Sequence, residues 1–92
     1  MLLSVFRVLG HSMEPTIFQG HVVITSGIPY LFNTPTIGDI VVFRKEGKML
    51  IKRIEKKNRE KYFLTGDNKN DSLDSRKIGW VERKDIVGKV IL

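Results

Sequence analysis

The sequence predicts an all-β domain, a small folded sheet or partly open barrel with little helix. Three observations predict it. The 92 residues contain no alanine, the strongest helix former, while valine and isoleucine, which pack well on a pleated surface, are abundant. The apolar runs are short and are broken by glycine, proline and asparagine at turn positions. A chain this long makes one domain, residues 1–92, with a thin core, because small domains hide a smaller share of their surface.

Residues 3–9 form a first strand running into Gly10-His11-Ser12-Met13-Glu14-Pro15-Thr16-Ile17. Pro15 forbids a central strand there, so Met13–Phe18 is a turn or a single helical turn. His21–Thr25 is a second strand, and residues 26–38, with Gly27, Pro29, Pro35 and Gly38, are irregular. Gly38-Asp39 opens the run IVVF, continuous in the way of a strand buried on both faces. Arg44–Lys48 supplies a hairpin turn with glycine at the left-handed position. Met49–Lys56 and Lys61–Thr65 are the next strands, turning at residues 57–60. A polar loop covers residues 66–79. Ile78–Val81 and Ile86–Ile91 close the fold around a charged turn at Glu82–Asp85.

Sixteen basic and ten acidic residues give a net charge of +6, much of it between Arg44 and Lys61. That density reads first as a solvated rim and next as attraction to anionic lipid headgroups. Nucleic acid is not expected, because no interleaving of aromatic and basic residues or recognition-helix pattern accompanies the charge. With no cysteine, and two histidines without clustered carboxylates, no metal ligand set forms and no cofactor is implied. Met1–Leu9 carries Arg7, is about half the ~20 residues that span a bilayer, and is too short for a signal peptide. Either the protein is soluble or an anchor lies outside this chain.

Ser12 sits where a strand stops and a turn begins, a place that fixes and exposes a reactive side chain. A serine hydroxyl needs a base to remove its proton. His11 is adjacent and in extended backbone points to the opposite face, and His21 has no acidic orienter at a telling position. Strand alternation offers a lysine instead. Leu50, Lys52 and Ile54 share one face, with Met49, Ile51, Arg53 and Glu55 on the other. An amine held among aliphatic groups is desolvated, which favours its neutral, basic form. The alternative is a lysine that snorkels past Leu50 and Ile54 to water, and periodicity alone favours that reading.

GHSMEPTI, GDIVVF, IKRI and GDNKNDSLDSRKIGWV occur in that order. Together they resemble the successive boxes of the bacterial signal peptidase I (leader peptidase) family, serine endopeptidases with a Ser-Lys dyad, over residues 5–90. The resemblance implies Ser12 as nucleophile and Lys52 as general base. It implies Ser72 as the residue that orients the lysine amine, with Asp74 and Arg76 as a supporting acid–base pair. Asp67, Asn68 and Asp71 read as plain turn residues. The Ser12 backbone N–H is the natural oxyanion donor. Gly10 stands where some relatives carry a second, hydroxyl donor, and offers only backbone there.

By the same resemblance, the partner is a leader-bearing precursor cut after small residues and bound as an added strand. Ile28, Tyr30, Leu31 and Phe32, in a loop placed near the serine turn, either cap the core, the reading favoured here, or with the basic rim make a peripheral membrane face. The location implied is the outer face of the cytoplasmic membrane if an anchor exists, and otherwise the cytoplasm. Few residues precede Ser12, as in soluble peptidases that mature nickel superoxide dismutase, which remain an alternative. LexA-type repressor peptidases need an upstream DNA-binding domain and cleave an Ala-Gly bond absent here. An inactive basic β-module is disfavoured because Ser12, Lys52, Ser72, Asp74 and Arg76 are all intact.

Overall fold

A computed structural model describes residues 3–69 and 79–92. Its strands are β1 (Leu3–Arg7), β2 (Val22–Ser26), β3 (Ile40–Lys45), β4 (Lys48–Asn58), β5 (Lys61–Thr65), β6 (Val81–Glu82) and β7 (Ile86–Val90). They form one open antiparallel sheet in the order β1-β2-β7-β3-β4-β5-β6. The all-β expectation holds, as a folded open sheet and not a closed barrel.

The hairpins explain the registers. Glu46 and Gly47 have φ of 50° and 77°, so a two-residue turn of the type that matches strand twist joins β3 to β4 and sets Lys45 opposite Lys48. Arg59, with φ 57°, sits in the turn that places Asn58 opposite Lys61. β3 and β4 therefore reach closer to their turns than the apolar runs alone indicate. β6 begins at Val81, and a 3₁₀ turn at Arg83–Asp85 leads into β7.

The stretch expected to be irregular contains a four-residue helix, α1 (Pro29–Phe32). Proline suits a first helical turn because its φ is already helical and its missing N–H has no partner there. A helix this short needs a tertiary anchor. Tyr30 supplies it by packing on the core and donating its hydroxyl to Asp39 Oδ2 at 2.6 Å. Asp39 also accepts from the Thr36 N–H and hydroxyl. Burial, reinforced by the Asp39 carboxylate, holds the Tyr30 phenol well above its ordinary range.

Two clusters make the core. Val41, Phe43, Ile54, Tyr62, Leu64, Val81 and Ile86 form the first, and Val8, Met13, Ile17 and Val23 form the second beneath the serine turn. Val41, Val42 and Phe43 are all fully buried, as a continuous apolar run requires of a central strand.

Candidate active site

β1 gives way to the serine turn after Arg7. The Val8 N–H donates to the His21 carbonyl and the Gly20 N–H to the Val8 carbonyl, each at 2.8 Å. Gly10 then takes φ +83°, a left-handed value that turns the chain and that a side chain would strain. Its N–H donates to Gln19 Oε1 at 3.1 Å. Residues 12–16 are turn, closed by the Glu14 N–H on the His11 carbonyl and the Ile17 N–H on the Met13 carbonyl, and Glu14-Pro15 is cis. Met13 and Ile17 are buried in the second cluster, so the turn is fastened to the sheet on both sides of Pro15. Ser12 is left half-buried. Among the described residues its N–H makes no hydrogen bond, while its carbonyl accepts from the Asn68 N–H at 2.8 Å.

Neither histidine lines the cleft beside the serine. His11 Nδ1 meets Glu14 Oε2 at 2.7 Å, and this hydrogen bond holds the Glu14 carboxyl below its ordinary range. His21 Nδ1 accepts from the Phe18 N–H, and its ring meets the Phe18 ring edge-on. Among the described residues no group of three or more His, Cys, Asp or Glu is placed to hold a metal.

Lys52 lies on β4 directly opposite the fully buried Val41, and it is 4% exposed. Alternation places it on the face with Leu50 and Ile54, as the sequence pattern predicts, and it does not reach water in the way a snorkelling lysine does. Lys52 and Ser12 line the same cleft, of about 420 Å³, together with Phe6–Leu9, Met13, Val42 and Lys48–Ile51. A nucleophile from a turn and an amine from a buried strand face thus open on one largely apolar space.

A second connection runs behind that cleft. Arg53 grips Asp67 with two hydrogen bonds of 2.8 Å, Nε to Oδ1 and Nη2 to Oδ2, and donates from Nη1 to the Gly38 carbonyl at 2.7 Å. The Thr16 hydroxyl donates to Asp67 Oδ2. Asn68 donates from Nδ2 to the His11 carbonyl at 3.0 Å. The Arg53 guanidinium holds the Asp67 carboxyl below its ordinary range, and Asp67 in turn raises Arg53. Asp67 and Asn68 are therefore not plain turn residues; they tie the strand carrying Lys52 to the turn carrying Ser12. The pattern made Glu55 the residue sharing a face with Arg53, but the β4–β5 register sets Arg53 opposite Thr65 and brings Asp67, two residues on, alongside it. Hairpin register is the signal that finds this pair. Ser72, Asp74 and Arg76, and with them Asp71, lie outside the described residues.

The apolar loop is divided. Ile28, Leu31 and Phe32 are exposed, the last two 68% and 80%, while Tyr30 turns inward. It is also not near the serine turn. α1 follows the end of β2 that pairs with Leu3, and Ser12 follows the end of β1 that pairs with Val22, so the two stand at opposite ends of the β1–β2 pair. Among the described residues no helix is long and apolar enough to cross a membrane.

Residues 3–91 match the family described as Peptidase S24-like. A stretch of 33 residues is 52% identical to a protein named Signal peptidase I from Buchnera aphidicola subsp. Baizongia pistaciae (strain Bp). The aligned stretch is 36% of this chain and 11% of that protein. Both findings support the resemblance read from the successive boxes.

Proposed function

The chain belongs to the Peptidase S24-like family, and we propose that it is a serine endopeptidase in which Ser12 is the nucleophile and Lys52 the general base. The observation that carries this reading is the shared cleft: Ser12 on a fastened turn and Lys52 buried on an apolar strand face open onto the same space. A buried amine favours its neutral form, and the neutral form can accept a proton. Ser12 Oγ attacks the scissile carbonyl as its proton passes to Lys52 Nζ. Lys52 then returns the proton to the departing amine, and the C–N bond breaks to leave an ester on Ser12. A water molecule, deprotonated by Lys52, hydrolyses that ester and regenerates the hydroxyl.

The Ser12 N–H stabilises the oxyanion in this scheme, which fits its lack of a hydrogen bond among the described residues. Gly10 is the weaker candidate for the second donor because its N–H is engaged by Gln19. Ser72, Asp74 and Arg76 are assigned to orient and support Lys52 by family resemblance. The substrate is an extended leader segment of a precursor protein with small residues before the cut. It adds a strand to the sheet at β1, an edge of the sheet whose outgoing end lines the cleft. Exposed Ile28, Leu31 and Phe32 serve as a peripheral membrane contact, assisted by the basic rim.

The test is cleavage of a small-x-small leader peptide by the wild-type chain, Ser12→Ala and Lys52→Ala, each checked for native circular dichroism. The reading expects cleavage by the wild type alone. Cleavage by folded Lys52→Ala overturns the dyad.

A further inference from the structure

The cleft has two unlike ends. One wall is the outgoing part of β1 with the serine turn, and the other is the first part of β4. Four antiparallel pairings separate β1 from β4 (β1–β2, β2–β7, β7–β3 and β3–β4), so the two strands run in the same direction. Ser12 and Lys52 stand at the downstream ends of these walls, and Lys48 at the upstream end of its own. Four residues of strand separate Lys48 from Lys52, roughly 13 Å at about 3.3 Å per residue. Residues four apart on a strand share a face, so Lys48 presents itself on the same side as Lys52.

Lys48 is the cation of the upstream end. Arg7, Lys48 and Lys52 line the cleft, and among the described residues no Asp or Glu does. Lys48 is exposed, and its side chain makes no hydrogen bond or ion pair among the described residues. Its neighbours across and beside the hairpin are Lys45 and Arg44, with Glu46 as the one acid of the turn. Arg7, the last residue of β1, stands at the downstream end instead, with its Nη1 held on the Gly20 carbonyl at 3.0 Å. Lys48, beside Lys45 and Arg44 and with Glu46 as the one acid of the turn, leaves the upstream end net positive, so that end attracts negative charge and repels positive charge.

We propose that Lys48 determines specificity by forming a subsite for an acidic side chain, selecting peptides that carry Asp or Glu about four residues from the scissile bond. This rests on the serine-peptidase reading for its scissile bond, and names the charge class of the substrate that reading leaves open. An extended peptide in the cleft repeats the alternation of β4. A residue four positions from the one at Ser12 therefore points to the same side and reaches Lys48. The interaction is solvent-exposed, so it shifts preference by several-fold and weakens with salt.

The test uses fluorescein-labelled peptides with one fixed leader-type cleavage sequence and Glu, Gln or Lys at each of five positions on either side of it. Binding is measured by anisotropy to Ser12→Ala, and to the unmodified chain with the scissile amide N-methylated, so that the result does not hang on the substitution. At low salt, Glu binds about threefold to fivefold more tightly than Lys at one position three to five residues from the cut. Lys48→Gln erases most of that difference and Lys48→Glu reverses it. Charge-blind binding, no binding of any peptide, or a preference that survives Lys48→Glu overturns the proposal. Turnover by the wild type is read separately on the same peptides. A Lys48-dependent binding preference without cleavage removes the serine-peptidase reading and leaves the acidic subsite standing.

Discussion

Lys52 and Arg53 are consecutive residues of one strand, both cationic, and the pleat sends them to opposite faces. Lys52 is buried at the wall of a cleft, on the strand face it shares with Leu50 and Ile54. Arg53 keeps its charge, raised and matched by Asp67, and works as a fastener between β4, the loop at Gly66–Lys69 and the serine turn. The difference teaches how a small sheet divides labour. One face encloses an amine at the wall of the cleft, and the other sets out a guanidinium that keeps its charge and fixes geometry. In the proposed mechanism Arg53 is a positioning residue, holding the serine turn through Asp67 and Thr16.

Substitutions that break this contrast rank by effect. Exchanging the roles is the most severe. Lys52→Arg places a permanently charged group where the proposed mechanism needs a neutral base, and on that mechanism peptidase activity should fall by on the order of 10⁴ or more. Asp67→Asn comes next. It leaves Arg53 without its carboxylate and loosens the link to Thr16, and is expected to lower stability by about 1–3 kcal/mol, measured by urea denaturation. It should reduce kcat more than it changes KM, because misplaced groups cost positioning. Arg53→Lys keeps the charge but loses the two-pronged geometry, and a loss of about 1 kcal/mol is expected. Thr16→Val removes one hydroxyl from Asp67 and should cost about 0.5–1.5 kcal/mol.

Acid offers a reversible version of the same break. The folded-state pKa of Asp67 lies below its unfolded value, so its contribution to stability is present above about pH 4, the ordinary carboxylate value, and is lost as pH falls through the lowered folded value. Thermal melts below pH 4 should therefore show an acid-side decline that is shallower in Asp67→Asn. Equal slopes in the two proteins would remove Asp67 from the account. The exposed loop tests the other end of the molecule: Leu31→Ser with Phe32→Ser should leave the melting temperature nearly unchanged while reducing binding to anionic vesicles at low salt.

Much of this was legible before any coordinates. The runs LSVFR, VVITS, IVVF and KYFLT become strands because short β-branched and aromatic segments between turn residues have few other ways to bury themselves. The face of Lys52 follows from period-two alternation, which β4 keeps at least as far as Ile54 before its bulge. What the pattern missed depends on contacts distant in sequence. α1 exists because Tyr30 reaches Asp39, nine residues on, and a local reading of SGIPYLF sees only a proline and a glycine. Asp67 and Asn68 looked local for the same reason, since their partners Arg53, Thr16, His11 and Ser12 come alongside only once the hairpin register is fixed.

The central claim is that Ser12 carries the acyl group and Lys52 makes it reactive. The most direct measurement is acid quenching of the chain during turnover of a leader-type peptide, followed by intact mass and peptide mapping. A covalent acyl adduct on Ser12 is predicted for the wild type, with none on folded Lys52→Ala. Turnover by folded Ser12→Ala, or an adduct mapped to any other residue, would contradict the account.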